Sequence, residues 1–190
     1  MAGPRVRPLA CLQRDQAWTC RLWLPYAAPV YEGENHFQAE EDLGVFIVQS
    51  TAFESGQEMP QKYGNKAQNV SPPLEWDGAP EETKSFALAF VDIHPVARDY
   101  VHWLVADIST QLNSLPEGAG GNRNSDLIEV KPYVGPFPPS GTHDYEFTLY
   151  ALRTDRLGVG PGVTLQQFRQ AAEQNSLATA TLIGKFTKIR

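Results

Sequence analysis

The chain has 190 residues, 42% of them hydrophobic and 20% charged, which excludes a disordered segment and suits one globular domain with a sizeable core. A net charge of −6 argues against nucleic acid or an anionic membrane surface as the main partner, yet leaves room for a small anion in a local pocket. Fifteen Gly and fifteen Pro call for many turns, and therefore many short strands.

Residues 1–43 read as an irregular leader, with Trp18, Trp23 and Tyr26 but no clean period. Its start is basic, with Arg5, Arg7, Arg14 and Arg21 against Asp15, whereas residues 22–61 hold seven acids and no Lys or Arg. Such an acidic run reads first as a solvated face. Cys11 and Cys20 make neither a disulfide framework nor a zinc motif, so free thiols are expected. Leu22–Val30 is too short and too rich in proline to cross a membrane, and a cytoplasmic protein is the default expectation.

A domain over 44–190 follows. Gly44–Phe53 is a strand candidate, and the polar, turn-rich Glu54–Asn69 is expected to be loop. Ser71-Pro72-Pro73 forces extended backbone, since proline pushes its predecessor out of the α region, and Leu74 and Trp76 then share one face of a short strand. The run Ser85–Val91 is apolar throughout, as in a strand buried on both faces, and it ends on Asp92. Val101–Ile108 is another strand, with His102 near its start, and the Gly-rich stretch Ser114–Ser125 reads as a flexible surface loop. Thr164–Leu177 is the best helix, because Thr164 and Gln167 fit a capping box. Thr179–Ile189 closes the chain as a strand. These elements predict an antiparallel β-sandwich with Greek-key-like connections and one or two peripheral helices.

Between the Val101–Ile108 strand and the helix lies Lys131–Leu152, KPYVGPFPPSGTHDYEFTLYAL. Gly135, Pro136, Pro138, Pro139 and Gly141 make a stiff loop that cannot enter a sheet interior. Tyr145–Leu152 reads as a strand, which leaves His143 where the loop feeds it. This block resembles the signature loop and strand of the phosphatidylethanolamine-binding protein family, the Raf-kinase-inhibitor-like proteins. Ser71-Pro72-Pro73-Leu74-Glu75-Trp76, Ser85-Phe86-Ala87-Leu88, Asp92 with Pro95, and His102-Trp103-Leu104-Val105 are similar to its other blocks, in the same order. The loop between Pro95 and His102 is short, as in the prokaryotic branch.

The resemblance implies a ligand pocket at one end of the larger sheet, lined by Asp92, Pro95, Tyr100, His102, Gly135, Pro136, Pro138, Pro139, His143 and Tyr145. Imidazole N–H, tyrosine O–H and the N–H groups of a Gly-rich loop are all donors to an oxyanion. A carboxylate fits such a pocket if Asp92 orients one imidazole and stabilises its charged form. The expected function is therefore binding of a phosphate monoester or phospholipid headgroup, without chemistry and without a cofactor. Three other readings stay open. Asp92 could simply open a turn, since Asp bonds backbone groups two residues on. A protein partner could dock on the pocket rim, as for kinase-inhibiting members, and a homodimer is not excluded. Asp92, His102 and His143 are also the composition of a metal-dependent enzyme site.

Two positions depart from the family pattern: His94 stands where an acid is usual and Asp144 where an arginine is usual. Their exchanged charge types predict an ion pair between His94 and Asp144 at the rim.

Overall fold

The computed structural model describes residues 44–121 and 126–188, so the expected leader, with Cys11 and Cys20, lies outside the described residues. Chain order runs β1 (Ile47–Gln49), β2 (Gln57–Glu58), a single 3-10 turn (Gln61–Tyr63), β3 (Leu74–Asp77), β4 (Ser85–Asp92), β5 (Tyr100–Ser109) and β6 (Ser114–Leu115). It continues with β7 (Ile128–Lys131), β8 (Thr142–Leu152), α1 (Leu165–Asn175) and β9 (Ser176–Thr187). A three-stranded sheet, β1-β3-β6, faces a six-stranded one, β2-β9-β8-β4-β5-β7. Every pairing is antiparallel except the short β2–β9 contact. The mainly β sandwich expected from the sequence is the fold observed.

The larger sheet is covered on both faces, and this explains β4. On one face Phe86, Leu88 and Phe90 of β4 pack with Phe147 of β8 and with Val48, Leu74 and Trp76 of the small sheet. On the other, Ala87, Ala89 and Val91 meet Leu104, Tyr150, and Phe168 and Ala172 of α1. All eight β4 residues are buried, so the strand reads as one apolar run rather than an alternation. Within this core Phe90 stacks on Phe147, with ring centroids 3.9 Å apart. Truncating such a ring to alanine costs about 3–5 kcal/mol. At the start of α1 the Thr164 side chain accepts from the Gln167 backbone while Gln167 reaches back, the expected capping box.

Several elements differ from expectation. Leu177 falls in β9 rather than α1, because Ser176 is already extended and the chain enters the strand without a loop. Only three residues of the expected Gly44–Phe53 strand pair with β3, and Val45 and Ile47 remain exposed. The segment Glu54–Asn69 is not plain loop: it holds β2 and the 3-10 turn, and sinks Met59 and Tyr63 into the core. Likewise Ser114–Leu115 pairs with β3 and buries Leu115. One or two apolar anchors in a polar segment carry no period, so the sequence does not announce them. Among the described residues no helix is long and apolar enough to cross a membrane.

Candidate functional site

The register of the large sheet assembles the site. Asp92 at the end of β4 stands opposite Tyr145 of β8 on one side and Tyr100 of β5 on the other. Directly opposed residues share a face, and so do residues two apart on a strand, which brings His143 to the same corner. His102 arrives by a different route. The β4–β5 pairing jumps from Phe90–Trp103 to Val91–Val101, leaving His102 as the extra residue of a β-bulge. A bulge re-aims side chains. Here His102 and its neighbour Trp103 both pack against rings on the cleft side of the sheet, His102 on Phe90 and Tyr145, Trp103 on Tyr133.

These residues bound a cleft of about 110 Å³, lined by Asp92, His102, His143 and Tyr145 below, and by Val96, Ala97, Tyr100, Phe137 and Pro139 around the mouth. A cleft of this size holds several waters and has room for a phosphate-sized group. The expected Asp92, Tyr100, His102, Pro139, His143 and Tyr145 therefore come together. Pro95 does not join them: it is exposed in the turn after β4, and Val96 and Ala97 take its place.

Gly135, Pro136 and Pro138 are buried but do not line the cleft. Pro136 and Pro138 border a separate recess with Lys66 and Lys188. Gly135 has another task. A side chain there would collide with the Tyr63 carbonyl and the Asn65 amide, so glycine permits the loop to lie against segment 63–65. The loop is tied down there: Gly135 N–H donates to Asn69 Oδ1 at 2.8 Å, Asn65 N–H to the Pro136 carbonyl at 3.0 Å, and Tyr133 O–H to the Tyr63 carbonyl at 2.9 Å. Phe137, missed from the sequence, is the loop residue that reaches the cleft, edge-on to Tyr100 at 5.3 Å and to His102 at 5.6 Å. Its only signal was an aromatic ring flanked by prolines.

Asp92 does two jobs with two oxygens. Oδ1 accepts a hydrogen bond from the backbone N–H of His94 at 3.0 Å and shapes the turn, while Oδ2 accepts one from His143 Nδ1–H at 2.7 Å. Both side chains are buried. His143 is the second residue of β8, not the end of a loop, and its ring is clamped by stacking on His94 at 3.9 Å and 12°.

The expected ion pair between His94 and Asp144 does not form. Strand alternation turns Asp144 to the helix side of the sheet, the side of Glu146, whose carboxylate meets Arg169 of α1 at 4.0 Å. His94 lies on the cleft side, over His143.

His102 is held differently. Its Nδ1 lies 2.6 Å from the Val134 carbonyl, and Val134 N–H returns a bond to the His102 carbonyl at 2.8 Å. Burial lowers its pKa to about 4; the Val134 carbonyl and the charge of Asp92 oppose that shift without cancelling it. His102 is therefore a neutral imidazole at physiological pH. Tyr145 is fully buried, and its hydroxyl has no well-formed hydrogen bond, although the Asp92 carboxylate and the Phe137 backbone lie near enough to act on it. Burial first, and then the charge of Asp92, push its pKa up, so it keeps its proton. Among the described residues no Lys or Arg lines the cleft.

Comparison with known proteins agrees with this architecture. A family model described as phosphatidylethanolamine-binding protein matches residues 49–187. A UPF0098 protein of Methanothermobacter thermautotrophicus is 37% identical over 148 residues, 72% of this chain and 95% of the relative. LppC of Mycobacterium tuberculosis, named as a lipoprotein, is 37% identical over 144 residues, 73% of this chain and 71% of its own. Among solved structures, Chlamydia trachomatis CT736, described as a homologue of phosphatidylethanolamine-binding protein, superposes with a TM-score of 0.67 at 31% identity, covering 76% of this chain and 99% of that one. Escherichia coli YbcL, described as a member of the mammalian PEBP family, gives a TM-score of 0.70 at 26% identity, covering 77% and 100%.

Proposed function

Because the chain belongs to the phosphatidylethanolamine-binding protein family, we propose that its cleft binds a small phosphate-bearing group, a monoester or a phospholipid headgroup, and performs no chemistry on it. The observation that carries this reading is Tyr145, whose hydroxyl is buried beside the cleft without a well-formed hydrogen bond to the protein. An unsatisfied buried hydroxyl costs about 1–3 kcal/mol, which a ligand oxygen accepting its proton would recover. His143 supplies the second contact. Asp92 holds its Nδ1–H, so Nε2 is the nitrogen left for a ligand. In the imidazolium form that nitrogen is a donor to a phosphate oxygen.

The test is calorimetry with inorganic phosphate and phosphoethanolamine on the native chain, Tyr145→Phe and His143→Ala. Each substitution is expected to weaken binding about tenfold, equivalent to about 1.4 kcal/mol. Binding that survives both unchanged would overturn the reading.

A second reading has its own observation. Ile93, Val96, Tyr100 and Phe137 are between 38% and 66% exposed near the mouth, more apolar surface than a phosphate needs. A protein partner docking on this rim would cover it. Capture of one protein that is lost with Val96→Asp and Phe137→Ser, while phosphate binding persists, would favour that reading.

A further inference from the structure

We propose that His102 makes the cleft selective for a phosphate that brings its own proton, a monoester monoanion or dihydrogen phosphate, over a phosphodiester, which has none to give. The inference rests on the phosphate reading of the cleft and names which phosphate it takes.

The argument is one of tautomers. A carbonyl oxygen carries no hydrogen, so the 2.6 Å contact between His102 Nδ1 and the Val134 carbonyl requires the proton to be on Nδ1. The only ring nitrogen His102 can then offer a ligand is Nε2. The groups around it decide whether Nε2 also gains a proton. Phe90, Tyr100, Phe137 and Tyr145 pack their rings around the imidazole. The Val134 and Gly135 backbone and Asp92 of β4 favour a second proton, Lys131 of β7 disfavours it, and burial outweighs the groups that favour it. His143 lies across the cleft with its own Nδ1 committed to Asp92. Nε2 of His102 is thus a fixed acceptor.

The polar groups of the cleft divide accordingly. Tyr145 O–H donates, His143 Nε2 donates only when protonated, and His102 Nε2 and Asp92 accept. A fully deprotonated phosphate would set lone pairs against the lone pair of His102 and against a carboxylate. A phosphate with one P–O–H instead donates that proton to His102 Nε2 and accepts from Tyr145 with another oxygen. Phosphate monoesters hold this proton below a second pKa of about 6. Simple charge attraction predicts the reverse order, with the dianion held tighter and the two monoanions alike.

Titration calorimetry of the full chain with methyl phosphate and with dimethyl phosphate, from pH 5 to pH 8, separates these cases. At pH 5 methyl phosphate is expected to bind at least tenfold more tightly. That advantage should shrink toward tenfold per unit as pH rises beyond the ligand's own pKa. Titration of the protein affects both ligands and cancels in the ratio, and the steric cost of the extra methyl does not vary with pH. In His102→Gln, whose amide can present an N–H, the gap at pH 5 should close to within about threefold. Equal affinity of the two ligands at pH 5, a ratio rising with pH, or an unchanged gap in the variant would overturn the role of His102 while leaving the phosphate cleft standing. Failure of both ligands to bind at any pH would overturn the cleft reading as well. The native ligand pair decides the matter even if the variant does not fold.

Discussion

The two walls of the cleft hold buried histidines by the same atom on unlike partners. On the β5 wall, His102 Nδ1 meets a backbone carbonyl; on the β8 wall, His143 Nδ1 meets the Asp92 carboxylate. Both side chains are 2% exposed, so burial alone does not distinguish them. The partner does. A neutral carbonyl fixes the His102 tautomer with its proton on Nδ1 and ties the Pro-rich loop to the sheet, whereas the Asp92 carboxylate ties the His143 ring to the end of β4. Each ring is left with Nε2 as the nitrogen that can meet a ligand.

The strongest way to break this comparison is acid. His102 has an ordinary value of 6.5 in an unfolded chain and about 4 in the folded one. Between those values the unfolded chain binds a proton that the folded chain refuses, so stability is full above about pH 6.5 and falls as pH drops toward 4. The loss amounts to roughly 3 kcal/mol at about 1.36 kcal/mol per unit. Urea unfolding at pH 7 and pH 4 should show the native chain losing about that much more than His102→Gln. Parallel pH profiles would mean that His102 is not buried as a neutral ring.

Next in size is the frame behind His102. Gly135→Ala drives a methyl into the Tyr63 carbonyl and the Asn65 amide, and overpacking of this kind costs about 1–3 kcal/mol. Because the Val134 carbonyl adjoins Gly135, the variant should also loosen the His102 contact. Thermal unfolding and the His102 ring resonances report the two effects separately. A variant as stable as the native chain would show that the loop does not need its close approach to segment 63–65.

The β8 wall is tested by removing its charge. Asp92→Asn keeps an oxygen for His143 Nδ1 but withdraws the carboxylate. Phosphate affinity should fall about tenfold, or about 1.4 kcal/mol, because the amide holds the His143 ring less firmly with Nε2 toward the ligand. Unchanged affinity would make Asp92 a turn-shaping residue only.

How much of this was legible in the sequence follows from what each feature depends on. β4, α1 and the seats of Asp92 and His143 beside strand ends rest on local patterns: an apolar run, a capping box, and a stiff loop that feeds a strand. Gathering Asp92, His102, His143 and Tyr145 into one pocket took the motif blocks of the family, which do not show the bulge that aims His102, because a bulge is a property of the β4–β5 register. Gly135 was assigned a ligand-facing role, whereas the structure uses it to bring the loop against a segment some seventy residues earlier. Tyr63 and Met59 escaped notice because a lone apolar residue in a polar stretch has no period to reveal it.

The smallest expected effect concerns His94, and it discriminates between two geometries. Exchanged charge types suggested a pairing with Asp144, on the reasoning that neighbours of pocket residues meet at the rim. Successive strand residues, however, point to opposite faces, so a contact made by His143 is denied to Asp144. The structure gives His94 to His143 instead, as a near-parallel stack of two imidazoles. Double-mutant cycles measure both relationships. For His94→Ala with Asp144→Ala, the coupling should be no more than about 0.3–0.5 kcal/mol, the scatter of independent sites. For His94→Ala with His143→Phe, which keeps a ring and removes the imidazole chemistry, the stacking should largely persist, with at most about 0.5 kcal/mol of change. For His94→Ala with His143→Ala, which removes the ring, coupling of about 0.5–1.5 kcal/mol is expected, the range for aromatic pairs. Coupling between His94 and Asp144 as large as that between His94 and His143 would restore the ion pair and undo the stacked arrangement of the β8 wall.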